Sequence, residues 1–292
     1  ETISGRLRDE LTSEDVDLDA IRVHIQQQQS DGSWAGIDYG DRSLTHWEPS
    51  RHIRLLAELA GTYRNPGCAL SGDESLLGTI LSGLRYWVDR NPQSDNWWWN
   101  CIDTPKHLGR VLLLTGDLVP DDLVIRSGPI IRRSTYRRTG ANLTWEAGNL
   151  MVLACVTRDT RLLRESIQKI TDEVRISTDE GIQPDFSFHQ HGPQLYMGNY
   201  GLVFATDGSR HAALFAGTSF QLASEKIRAL SGLILEGQRW FIWRRQFDFH
   251  GLGRNIVLPN VGSRSTAFGP ICERMMAADP ERADAYAGFA AQ

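Results

Sequence analysis

Residues 77–88 read LGTILSGLRYWV, and their spacing decides the fold class. Leu77, Ile80, Leu81, Leu84, Trp87 and Val88 recur at intervals of three and four, which gathers them on one face of an α-helix. One element earlier, Ile53, Leu56, Leu59, Ala60 and Tyr63 repeat the pattern. Working outward, further helices are expected at about 15–29, 105–115, 120–133, 143–157, 159–176, 222–243, 263–278 and 280–290. Turn signals separate them: Asn65-Pro66-Gly67, Asn91-Pro92, Thr115-Gly116-Asp117 and Thr139-Gly140. Few segments alternate with period two. The sequence therefore predicts an all-α protein whose helices pair as antiparallel hairpins, and around ten helices would suit a ring of them, in one domain over 1–292. The longest non-helical segments are 30–49, 89–100, 180–200 and 246–262, and they carry most of the unusual polar and aromatic residues.

The composition is that of a globular chain, 41% hydrophobic and 23% charged over 292 residues. No apolar run approaches the ~20 residues that span a bilayer, so no membrane partner is expected. The net charge of −5 gives no electrostatic reason to expect nucleic acid. Arg132, Arg133, Arg137 and Arg138 nevertheless cluster ahead of TGANLTW, either as a solvated basic turn or as a local attraction for an anionic polymer. The four cysteines form no CxxC pair, which argues against a zinc or redox motif. The nine tryptophans are too large to leave exposed at random, and most are expected in the core.

Four constellations could carry chemistry. Asn96-Trp97-Trp98-Trp99-Asn100 places three indoles in succession, which one element cannot turn inward together; an exposed indole face stacks on the apolar face of a sugar ring. Asn142, in TGANLTW, sits at the start of an apolar helix and is either its N-cap or an amide donor to a substrate carboxylate. Residues 185–200, DFSFHQHGPQLYMGNY, cannot form a regular helix around Gly192-Pro193 and Gly198. Within them His191 and Tyr200 can both move protons. His189-x-His191 has no acidic or cysteine partner at metal-binding spacing, and no metal is expected. Arg254, in GLGRN, can approach an anion closely on a glycine-freed backbone.

The segment DFSFHQHGPQLYMGNYGLVF resembles the catalytic loop of polysaccharide lyase family 8, whose members include chondroitin AC lyase, hyaluronate lyase and xanthan lyase. DGSWAGIDYGD (31–41), RYWVDRNPQSDNWWWN (85–100), TPKHLGRVLLL (104–114), TGANLT (139–144) and GRNI (253–256) follow the same order along the chain. The resemblance runs from about residue 20 to 280 and implies an incomplete α/α toroid of antiparallel helical hairpins. It also implies catalytic roles for Asn142, His191, Tyr200 and Arg254, with Trp97, Trp98, Asn100 and Gln194 binding substrate. Where the family often carries a second arginine, four residues after the first, this chain has Leu258. The family's C-terminal β-sandwich domains are expected to lie outside residues 1–292.

The implied substrate is an anionic uronic-acid polysaccharide, cleaved by β-elimination to leave a 4,5-unsaturated uronate, with no metal or organic cofactor. Asn142 and His191 would hydrogen-bond the uronate carboxylate, and Arg254 would lower the pKa of Tyr200. Either His191 or Tyr200 would be the base. A secreted or periplasmic location is expected. Two other readings stand beside this one. One is a glycoside hydrolase, which needs paired carboxyl groups and has Asp185 and Glu146 as candidates. The other is a carbohydrate-binding remnant without turnover.

Overall fold

Hydrophobic periodicity becomes twelve α-helices in the computed structural model, which describes residues 2–12, 16–244, 246–257 and 261–291. The all-α class expected from the sequence is the one observed: among the described residues the only strands are four of two residues each, in two hairpins. No helix among them is long and apolar enough to cross a membrane. The chain divides into two compact units, one of Glu1–Thr135 with Trp145–Ser166 and one of Tyr136–Thr144 with Ile167–Gln292.

The first unit contains α1 (Thr2–Thr12), α2 (Leu18–Gln27), α3 (Ser50–Arg64), α4 (Glu74–Arg90), α5 (Thr104–Thr115) and α6 (Asp121–Ile131). Most of α7 (Gly140–Thr157) and the start of α8 (Thr160–Glu173) also belong to it. Helix α3 lies against both α4 and α5 and is buried on nearly every side, so Ile53, Leu56, Leu59 and Ala60 lose all solvent contact. In α4 the buried stripe is turned slightly from the expected one: Leu76 is buried while Leu77 and Leu81 are half-buried. Asp73 caps its start by accepting the Leu76 amide at 2.8 Å, and Asn91 ends it in a left-handed conformation. Arg8 and Arg64 donate to the Leu113 and Leu114 carbonyls at the C-terminal end of α5, which satisfies acceptors the helix leaves open and complements its dipole. Helix α1 was not expected, because only Ile3 and Leu7 mark its buried side.

The second unit holds α9 (Tyr200–Phe215), α10 (Ser224–Gly232), α11 (Phe268–Ala278) and α12 (Ala283–Ala290), with α11 against α9 and α12. Its hairpins are β1 (Gly181–Ile182) with β2 (Phe188–His189) and β3 (Ile242–Trp243) with β4 (Gln246–Phe247). Two expectations are corrected here. Helix α9 escaped the sequence reading because it is buried on several faces, so it shows no single apolar stripe. The helix expected over 222–243 stops at Gly232, passes through a wide turn at 233–237 and a tight one at 238–241, and enters β3. Phe186 packs closely against that break. Its ring would meet a Cβ on Gly232 at 2.2 Å, and its carbonyl oxygen would meet one on Gly237 at 2.1 Å.

The tryptophans are less buried than expected. Only Trp34, Trp47 and Trp87 are buried; Trp98, Trp99 and Trp145 are half-buried, and Trp97, Trp240 and Trp243 are exposed.

Candidate active site

Tyr200 opens α9, immediately after the irregular loop 190–199. Its ring is buried against Tyr196 and His191, with centroids 5.2 Å and 5.1 Å away and both contacts edge-on. His191 and Arg254 both reach its hydroxyl. His191 Nε2 lies 3.1 Å from Tyr200 Oη, and Arg254 Nη2 donates to the same oxygen at 3.3 Å. The backbone delivers both. His191 adopts a left-handed conformation, φ 60°, which turns its ring back toward α9. Arg254 is anchored by its own amide, which donates to Tyr196 Oη at 3.3 Å. His191, Tyr200 and Arg254, chosen from sequence, thus meet at one oxygen.

The net electrostatics at that oxygen differ from expectation. The Tyr200 phenol is held above its ordinary value, chiefly because burial disfavours the phenolate. Arg254 pulls in the opposite direction, as expected, but does not overcome the burial. The resting group is a neutral phenol that can donate to His191 Nε2.

Asn142 is the third residue of α7, inside the first turn, so the N-cap reading is corrected. It is buried, and its Oδ1 has no hydrogen-bond partner among the described residues. Half a rotation of the amide presents Nδ2–H at the same point, a donor suited to a carboxylate. A tether joins the backbone next to Asn142 to the residue next to His191: Gln190 Oε1 accepts the Ala141 amide at 3.1 Å.

An open cleft of about 650 Å³ is lined by His191, Gln194, Leu195, Tyr196, His250, Gly253 and Arg254, with the buried Tyr200 and Asn142 outside its lining. Gln194, expected to bind substrate, is therefore in its wall. Tyr196 and His250 were missed by the sequence reading. Tyr196 was legible as an aromatic in the same loop, and His250 as an imidazole just ahead of GLGRN. His250 Nδ1 pairs with Asp248 Oδ1 at 2.9 Å. Among the described residues no carboxyl group lines the cleft. Of the hydrolase candidates, exposed Asp185 accepts the Ser187 amide at 3.0 Å, and Glu146 is fully buried in the first unit. Among the described residues no cluster of three or more His, Cys, Asp or Glu side chains is placed to hold a metal ion. Leu258 lies outside the described residues.

The tryptophan segment belongs to the first unit. Trp97 is 38% exposed, and Trp98 stands edge-on to Trp99 and Trp145. Asn96 holds the turn by accepting the Trp98 amide at 3.0 Å and donating to Leu44 O at 2.9 Å. Asn100 accepts the Ser94 amide and donates back to the Ser94 carbonyl, which leaves one Nδ2 hydrogen for a ligand.

Residues 8–277 match the family described as polysaccharide lyase family 8, N terminal alpha-helical domain. The chain belongs to this family. Chondroitinase-AC of Pedobacter heparinus is 32% identical over 243 residues, which cover 82% of this chain and 35% of that protein. A solved chondroitinase AC lyase, studied as enzyme–oligosaccharide complexes, superposes with a TM-score of 0.93 at 28% identity and covers 99% of this chain and 44% of its own. A xanthan lyase from Paenibacillus shares the fold, with a TM-score of 0.75 at 17% identity over 100% of this chain and 33% of its own. The family 8 chain described here therefore spans less than half the length of these relatives.

Proposed function

We propose that this chain is the helical catalytic portion of a polysaccharide lyase that cleaves a uronic-acid polysaccharide of the chondroitin, hyaluronan or xanthan type by β-elimination. The observation that carries the reading is the convergence of His191 Nε2 and Arg254 Nη2 on Tyr200 Oη. Family membership supports it, as does a cleft in whose lining the described residues supply no carboxyl pair for hydrolysis.

The chemistry follows from the groups present. Removing H5 of a uronate is hard because the neighbouring carboxylate is already negative. Asn142 would donate an amide hydrogen to that carboxylate and let charge spread into it. Tyr200 would pass its phenolic proton to His191 Nε2, with Arg254 stabilising the phenolate. The phenolate would take H5, the C4–O4 bond would break as the C4–C5 double bond forms, and Tyr200 would return that proton to O4. His191 would then restore the phenol. Trp97 and Trp98 would carry the polymer on their indole faces. Because a long anionic polymer does not cross a membrane unaided, the reading carries a secreted or periplasmic location.

The test is an ultraviolet assay of the chain against a panel of uronate polymers. An unsaturated uronate conjugated to its carboxylate absorbs; a hydrolysis product does not. Rising absorbance that disappears in Tyr200→Phe is the expected result. New reducing ends without absorbance, or binding with no cleavage, would overturn it.

A further inference from the structure

Beneath the His191 loop, one carboxylate gathers three donors from two separate segments. Glu180 Oε1 accepts the Gly192 amide at 2.7 Å, and Oε2 accepts the Thr139 hydroxyl at 2.5 Å and the Gln190 Nε2–H. Gln190 is 1% exposed and extends the same connection. Its Oε1 accepts the Ala141 amide at 3.1 Å, and its Nε2 also reaches the Thr139 carbonyl at 3.4 Å. The two side chains thus join residues 139–141, which lead into Asn142, to residues 190–192, which flank His191. Glu173 closes the far side by accepting the Gly140 amide.

Gly140 explains why the fit is tight. It has φ 58°, and a Cβ there would lie 2.2 Å from Gln190 Oε1. Only a glycine leaves room for that amide group. The clasp acts at the tip of the loop, where Gly192 and Pro193 are exposed and His191 occupies a left-handed conformation that its neighbours must maintain.

We propose that Glu180 and Gln190 are positioning residues, a polar clasp that fixes the His191 loop and the start of α7 in one arrangement. Neither lines the cleft beside His191 and Arg254. Their effect on turnover rests on the lyase reading above, because it acts through where His191 and Asn142 stand relative to Tyr200. Charge-assisted bonds to a carboxylate are the strong kind, so the clasp should hold the loop more firmly than neutral contacts would. A shift of about 1 Å in a reacting group costs on the order of 10²-fold in rate.

The test pairs amide-resolved hydrogen exchange with steady-state kinetics on the full chain and on E180A, E180Q and Q190A. In E180A the Gly192 and Ala141 amides should exchange faster while amides in α9 and α11 keep their protection. The kcat for unsaturated product should fall on the order of 10²-fold with KM within about threefold, the split expected when geometry rather than affinity is lost. E180Q keeps one acceptor and should fall between E180A and the parent in both readouts. Q190A should release Ala141 specifically. Unchanged exchange at Ala141 and Gly192, or loss of protection spread evenly through α9 and α11, overturns the proposal. If the parent chain forms no unsaturated product, the lyase reading fails while the exchange data still decide the clasp.

Discussion

His191 Nε2 and Tyr200 Oη are 3.1 Å apart although nine residues separate them, with their rings nearly perpendicular at 82°. An edge-on ring cannot stack, so the polar contact sets the relation between the two. It pairs a proton donor with a proton acceptor, and His191 brings that pair to the wall of an open cleft, the local requirement for acid–base work.

Replacing Tyr200 by Phe tests that relation most directly. The ring stays packed against Tyr196, so folding should be preserved, while the proton carrier is lost. Turnover should drop by about 10³-fold or more, in the upper part of the range for removing a general acid–base group. Circular dichroism of the variant should match the parent. Near-normal activity would assign the proton transfers elsewhere.

The raised Tyr200 pKa sets the direction of a pH response. Burial holds the phenol above about 10, so ionisation of the free group lies on the alkaline side. If the working phenolate forms by loss of its proton to solvent rather than to His191, kcat/KM should climb with pH through the neutral range. Arg254 opposes the burial, so Arg254→Ala should move the rise to higher pH as well as lowering its height. Spectroscopic titration of the parent against Tyr200→Phe checks the phenol itself. A rise that moves to lower pH in the arginine variant would contradict this account.

Two buried imidazoles predict acid sensitivity. Burial pushes His52 down to about 4 and His211 down to about 3, whereas an unfolded histidine titrates near 6.5. Both nitrogens of His52 are engaged, one with the Tyr39 hydroxyl at 2.8 Å and one with Gly83 O at 2.9 Å, so the fold has no place for a second proton. The unfolded chain binds more protons between these values. Stability therefore rises with pH from about 4 to 6.5 and falls on acidification. The loss from His52 alone should be of order 2–3 kcal/mol by pH 4. Urea unfolding at pH 7 and pH 5 should show it, and His52→Gln should have a shallower pH slope than the parent.

How far the sequence could be read depended on whether a residue's role is local. The stripes of α3 and α4 were legible because one face of each repeats at helical spacing. Helix α9 was not, because burial on several sides erases the stripe. His191, Tyr200 and Arg254 announce themselves by residue type in irregular, glycine-containing segments. Glu180 and Gln190 do not, since a polar side chain reads as surface until its partners 41 and 49 positions away are placed beside it. The balance at Tyr200 was misjudged for a similar reason: Arg254 was visible as a charge, whereas the burial that outweighs it belongs to the packed fold.

Gly140→Ala should act through that packing. The new Cβ would fall 2.2 Å from Gln190 Oε1 on a backbone at φ 58°, so both strain and a clash oppose it. A destabilisation of about 1–3 kcal/mol is expected, read from the thermal midpoint. Activity should fall further than stability explains, because the displaced Gln190 is the tether to Ala141. Exchange rates at Ala141 separate the two effects, and an unshifted midpoint would show that the site accommodates the methyl group.

Trp97 offers the complementary case, a residue whose removal should change affinity and spare the chemistry. It is 38% exposed, while Trp98 is half-buried and braced edge-on by Trp99 and Trp145. Trp97 is the more exposed of the two, so removing its ring should cost less packing than removing that of Trp98. If it carries sugar rings, Trp97→Ala removes contacts made equally in the ground and transition states, so KM should rise with kcat nearly constant. Loss of one stacking surface corresponds to about 1–2 kcal/mol, or roughly a tenfold rise in KM. Trp98→Ala should raise KM too, but with a lower thermal midpoint, because its edge contacts belong to the unit's packing. Kinetics with long and short oligosaccharides refine the test: a platform away from the bond being broken should matter more for the longer ones. A fall in kcat at unchanged KM in Trp97→Ala would instead make this side chain part of the site where the bond breaks.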